Sequence, residues 1–146
     1  MYFPDGKSIA YTSRKKTGVD YAISTDSDIY LYDIESGSTT NLCKLSGYQE
    51  PKADVLKSLA QQAKNQSQTD IHAGYDQDPQ FSPDGTMIAW KSMERDGYES
   101  DRMRLCVMDL KDKTYSYVTE SFESNVDNFT SFSVELHQKP YLYILL

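Results

Sequence analysis

The stretch FSPDGTMIAW at residues 81–90 returns as YFPDGKSIAY at residues 2–11. A sentence repeated inside a short chain restricts the fold more than any composition value, because repeats mean one supersecondary unit used again. Aligning Pro4 with Pro83 brings Asp5 onto Asp84, Gly6 onto Gly85, Ile9 onto Ile88, Ala10 onto Ala89, and Tyr11 onto Trp90. The match resumes downstream, where DIYLYDIESGSTTNL (28–42) pairs with RLCVMDLKDKTYSYV (104–118). Asp33 then falls on Asp109 and Leu42 on Val118.

Each unit reads as a run of antiparallel strands. Pro-Asp-Gly is turn chemistry: Pro presets φ at the first corner, Asp tolerates the second, and Gly takes the left-handed position that follows. Pro4, Asp5 and Gly6, and again Pro83, Asp84 and Gly85, are therefore structural turns joining a first strand to a second as a hairpin with a Gly bulge. A charged loop (94–103) leads to the third strand, RLCVMDL, and a second turn at KDK (111–113), or ESG (35–37), leads to the fourth. Four short strands per repeat is the blade of a β-propeller. The third strand is apolar on both sides, as stacked sheets require. Tyr11 and Trp90 are expected in the packing between blades rather than as ligand platforms.

The expected fold class is all-β: about two four-stranded antiparallel blades of an incomplete propeller, with one helical insertion. Residues 1–49 make a partial first blade whose first strand is missing. Residues 50–73 are an insertion and loop; Ala53, Leu56, Ala60 and Ala63 recur at helical spacing and predict a helix near 52–65. Residues 74–122 make a complete second blade, and 123–146 begin a third through DNFTSFS (127–133). The tail VELHQKPYLYILL fits no blade strand. One reading is a shifted reading frame, since free codon choice lets a one-nucleotide shift restore a blade start beginning Trp-Ser; the gene's nucleotide sequence decides it.

Composition narrows the function classes. A formal net charge of −7 argues against nucleic acid and against an anionic membrane surface. Hydrophobic residues at 38% and charged residues at 25% suit a globular chain. The N-terminus lacks a signal-peptide layout, which leaves the compartment open. Cys43 and Cys106 are in no C-x-x-C and read as buried or half-buried thiols on strands, without a metal or redox role. The acidic groups Asp26/Asp28, Asp76/Asp78 and Glu94/Asp96/Glu99/Asp101 lack the spacing of a calcium loop and read as solvated. No metal site and no cofactor is expected. The loop carrying Arg95, Asp96, Tyr98 and Glu99 is the expected contact surface, against the plainer reading of a hydrogen-bonded loop that only shapes its blade.

The stretch GYDQDPQFSPDGTMIAWKSMERDGYESDRMRLCVMDL (74–110) resembles a blade of the N-terminal propeller of the prolyl oligopeptidase family, in its dipeptidyl-peptidase and acylaminoacyl-peptidase branch. Its core also resembles TolB-type propellers. The resemblance covers 2–13, 26–43 and 74–130. It implies a partner α/β-hydrolase domain carrying Ser, Asp and His, with the propeller capping that site and filtering peptide substrates. This sequence has no G-x-S-x-G and no base-and-nucleophile arrangement, so catalytic residues are expected to be none. No adjacent Glu-Glu pair occurs, so no substrate-binding residue is carried over. The alternative function is a stand-alone TolB-like module that binds protein. The missing strand at one end and the surplus strand at the other also suggest head-to-tail self-association.

Overall fold

A computed structural model of the 146-residue chain describes residues 1, 3–44, 74–97, 100–136 and 139–145. The elements are β1 (Ser8–Ser13), α1 (Gly18–Ile23), β2 (Asp28–Asp33), β3 (Thr39–Asn41), β4 (Asp76–Phe81), β5 (Met87–Ser92), β6 (Arg104–Asp109), β7 (Tyr115–Tyr117), β8 (Thr130–Leu136) and β9 (Lys139–Leu145). They form a sheet β1-β2-β3, a sheet β4-β5-β6-β7 and a pair β8-β9. Every pairing within these sheets is antiparallel. The second sheet is an up-and-down meander of four strands, the unit from which propellers are built. In the first sheet the chain start takes the place of β4: Ala10 N donates to Met1 O at 2.8 Å and Phe3 N to Ser8 O at 2.7 Å.

Both Pro-Asp-Gly stretches form the same turn. Gly85 N donates to Ser82 O at 2.9 Å, and Gly6 N to Phe3 O at 2.8 Å. The aspartate closes the inner side: Asp84 Oδ1 accepts from Thr86 N at 3.1 Å, and Asp5 Oδ1 from Lys7 N at 2.9 Å. Gly6 and Gly85 have φ of 73° and 72°, a region that costs a side chain about 1–2 kcal/mol. Their surroundings differ. A Cβ on Gly6 would meet nothing within 4 Å, whereas one on Gly85 would come within 2.7 Å of the Phe3 ring. Gly6→Ala is therefore expected to cost about 1 kcal/mol, the backbone strain alone. Gly85→Ala should cost about 2–3 kcal/mol, because Phe3 must also leave its edge contact with Phe81. Urea unfolding of the two variants side by side checks this, and equal losses would remove the steric part of the argument.

The core lies between the sheets. Ala10, Ile29, Leu42 and Cys43 of the first unit meet Phe81, Ile88, Trp90, Cys106 and Met108 of the second. The opposite face of the second sheet is covered as well: Ala89 and Leu105 pack against Val126 and Phe129. Successive side chains on β5 thus point to two different cores, the period-2 rule applied to a sheet stacked on both sides. The repeat keeps this sense. Ala10, the counterpart of Ala89, faces the next sheet, so Tyr11, the counterpart of Trp90, faces away from it. Tyr11 is half-buried and stacks on Tyr30 with centroids 5.5 Å apart, Lys15 lying over both rings. The outer strands β3 and β7 are short and largely exposed.

Three features depart from the sequence expectations. The tail does not stand outside the strand pattern: β8 and β9 pair from Thr130↔Leu145 to Leu136↔Lys139. Val134, Tyr141, Tyr143 and Ile144 have the propensity for extended backbone that this pairing uses. A short helix, α1, occupies the loop between β1 and β2, where none was expected; it opens on Gly18 at φ 64°. The helix predicted near 52–65 falls outside the described residues. Strand β4 also carries a bulge. Its register to β5 runs Gln77↔Lys91 and then Gln80↔Ala89, leaving Asp78 and Pro79 unpaired with Asp78 at φ 56°.

Candidate functional site

The polar groups of the two blade-like sheets converge on one seam. Loop 14–27 of the first unit and loop 93–103 of the second meet there. Ser27 and Tyr75 form an isolated parallel bridge. Ser27 N donates to Gly74 O at 3.2 Å, Asp76 N to Ser27 O at 3.1 Å, and Ser27 Oγ to Asp76 O at 2.8 Å. The start of β2 and the start of β4 are thereby fastened side by side.

Asp96 is the clamp of this seam. Its carboxylate accepts from Ser24 Oγ at 2.7 Å, Thr25 N at 2.7 Å and Asp26 N at 3.0 Å. Gly97 N returns a bond to Thr25 Oγ1 at 2.9 Å. Burial pulls the Asp96 carboxyl up, but the bonds from Ser24, Thr25 and Asp26 and the nearby Lys16 ammonium outweigh it and hold it below the usual range. The arrangement matches a capping carboxylate that satisfies several backbone donors of a loop.

Behind the clamp lies a ladder of alternating charge. Lys16 Nζ is 3.0 Å from Asp26 Oδ2 and 3.7 Å from Asp96 Oδ2. Lys44 Nζ is 3.4 Å from Asp26 Oδ2 and 3.0 Å from Asp28 Oδ1. Asn41 Nδ2 donates to Asp28 Oδ2 at 2.9 Å. Burial lifts the Asp26 carboxyl to about 6; Lys44 and Lys16 oppose the rise and the Asp28 charge adds to it.

Asp76 is wholly buried, with an exposure of 0%. Its Oδ1 accepts from Trp90 Nε1 at 3.0 Å. Burial drives its carboxyl well above the ordinary value, against the Ser92 hydroxyl, the Cys43 thiol and the Trp90 N–H that adjoin it. One ligand atom each from Asp28, Cys43 and Asp76 lies within 4.8 Å of the other two. Burial likewise pushes the Cys43 thiol up, and the Asp76 charge adds to this.

The structure redistributes the residues singled out by sequence. In the expected contact loop, Arg95 is exposed and pairs with Asp101 through Nε at 3.0 and 3.1 Å and through Nη2. Asp96 turns inward to the seam, while Tyr98 and Glu99 lie outside the described residues. The acidic pairs read as solvated loop need correction: Asp26, Asp28 and Asp76 are buried, because both chain segments that carry them pass between the sheets. Asp78 alone of those two pairs is exposed; it pairs with Lys91 at 2.6 Å beside a cleft of about 500 Å³ reaching Phe129. The three residues of each Pro-Asp-Gly stretch shape their turn, and Asp84 also accepts from Ser82 Oγ at 2.6 Å and Thr86 Oγ1 at 2.9 Å. The chain's two histidines, His72 and His137, lie outside the described residues. The seam itself was missed in the sequence; its one signal was the density of Asp, Ser and Thr in STDSD (24–28), a string that satisfies backbone groups more often than it repeats in strands.

No family model matches the chain. It is 45% identical over 124 residues to dipeptidyl-peptidase 5 of Porphyromonas gingivalis, a match covering 85% of this chain and 14% of that protein. It is 49% identical over 105 residues to dipeptidyl-peptidase 5 of Porphyromonas endodontalis, covering 72% of this chain and 11% of that protein. The chain thus spans a small part of the length of the curated relatives it matches. Among solved structures it is similar to TolB from Acinetobacter baumannii, with a TM-score of 0.49 and 18% identity over 98% of this chain and 28% of that one. Over most of its length, the chain is a homologue of one segment of the dipeptidyl-peptidase 5 proteins.

Proposed function

We propose that the chain is the blade-forming part of the propeller of a serine peptidase of the prolyl oligopeptidase type. In the whole protein that propeller would cap a separate α/β-hydrolase domain and admit peptides by size. The observation that carries the reading is the 45% identity extending over 85% of the chain, repeats and connecting loops together. The seam supports it. Its carboxylates are engaged by protein donors and ammonium groups, an arrangement that joins blades and offers no activated nucleophile. The chain's role in catalysis would then be architectural: it positions and encloses, while the Ser, Asp and His come from the hydrolase domain.

The test has two arms. DNA flanking the gene is read in all frames for an α/β-hydrolase coding region, and the purified chain is assayed against chromogenic dipeptidyl substrates alone and as part of any longer product. The expected result is no turnover by the chain alone and removal of N-terminal dipeptides by the longer product. Turnover by the chain alone would overturn the architectural role. Absence of a hydrolase coding region on either side would favour the stand-alone binding module.

A further inference from the structure

We propose that Asp28, Cys43 and Asp76 form a binding site for a borderline-soft divalent cation of the zinc class, set in the seam between the two sheets. The inference does not depend on the peptidase reading. Asp28 opens β2, Cys43 follows β3, and Asp76 opens β4, so the donors come from both sheets. Their ligand atoms lie within 4.8 Å of one another, and all three residues are buried.

A cluster of this kind is common without an ion, so a second observation decides. Asp76 is wholly buried, and its Oδ2 has no hydrogen-bond donor among the described residues. A buried carboxylate oxygen left without a donor is costly. A proton, a cation, or a small turn of the adjoining Ser92 hydroxyl or Cys43 thiol can answer it. The donor set favours the cation: a thiolate with two carboxylates suits zinc-class ions, and not magnesium or calcium, which take oxygen alone. Three protein ligands plus one open position is a familiar zinc stoichiometry. Zinc–oxygen and zinc–sulfur distances of about 2.0–2.3 Å require the three donors to draw together by roughly 1 Å.

The charges balance. Binding would release the Cys43 thiol proton and any proton on Asp76 to solvent, leaving two carboxylates and a thiolate around a 2+ ion. Lys44, which lies 3.0 Å from Asp28 Oδ1 and 3.4 Å from Asp26 Oδ2, would offset the residual negative charge. It already reaches Asp26, so Asp28 can turn to the ion without stranding the ammonium.

The experiment uses the full chain, stripped with chelator and titrated with Zn²⁺ by calorimetry and with Co²⁺ by absorbance. The expected result is one ion per chain, proton release on binding, and a thiolate-to-cobalt charge-transfer band. The band should survive Cys106→Ala and disappear in Cys43→Ser. Circular dichroism on each variant separates lost binding from lost folding. Binding no stronger in the parent chain than in folded Cys43→Ser, or a band that follows Cys106 instead, overturns the proposal and assigns the Asp76 oxygen to a proton or to the adjoining hydroxyl or thiol.

Discussion

Trp90→Ala is expected to remove about 4 kcal/mol of stability, enough to abolish cooperative unfolding in a chain of this size. Trp90 is the largest fully buried side chain and sits between the two sheets with Ile29, Phe81 and Met108. Removing the indole opens a cavity that two packed sheets cannot close. It also strips Asp76 Oδ1 of the Nε1–H at 3.0 Å, adding an unsatisfied acceptor to a carboxyl that is already buried. Trp90→Phe separates the contributions: it keeps most of the ring and loses the donor, so about 1–2 kcal/mol should go. Trp90 is the chain's single tryptophan, so far-UV circular dichroism in urea is the measurement. A loss below about 1 kcal/mol for the alanine variant would mean that the sheets do not depend on this contact.

Asp96→Ala is expected to cost about 2–3 kcal/mol, and to do so by unfastening the units from one another. Three donors, Ser24 Oγ, Thr25 N and Asp26 N, lose their acceptor together. Lys16 keeps Asp26 at 3.0 Å, so the charge ladder survives in part. Asp96→Asn retains one oxygen acceptor and should cost roughly half as much. Amide hydrogen exchange at Thr25 and Asp26 reads the effect locally: protection there should fall while protection within β5 and β6 is retained. Uniform loss across all strands would instead show that the clamp is inseparable from the global fold.

The turns, the meander and the face-to-face packing were legible because each rests on local chemistry repeated in register. Pro83-Asp84-Gly85 specifies its turn whatever surrounds it, and Ile88, Ala89 and Trp90 alternate between two cores without needing a distant partner to say so. The seam was not legible, because its meaning is long-range. Asp96 and Ser24 are 72 residues apart, and nothing in ERDG or STDSD names the other. The same blindness made Asp26, Asp28 and Asp76 look solvated: a carboxylate string in a turn-rich segment is normally at the surface, and only the docking of two sheets buries it. Cys43 read correctly as a buried thiol, yet its neighbours in space come from the starts of two strands far apart in sequence.

The bulge in β4 has a bearing on how such a sheet remains soluble before its neighbours are in place. β4 is an edge strand, and a straight edge offers unpaired amides to any passing strand. Pro79 has no amide hydrogen to offer, and Asp78 turns its backbone to φ 56° with its carboxylate held by Lys91 at 2.6 Å. A visiting strand would find the hydrogen-bonding row interrupted for two residues and a charge planted in the gap. The kink therefore acts as a guard against promiscuous strand addition, built into the same hairpin that the repeated Pro-Asp-Gly sentence encodes.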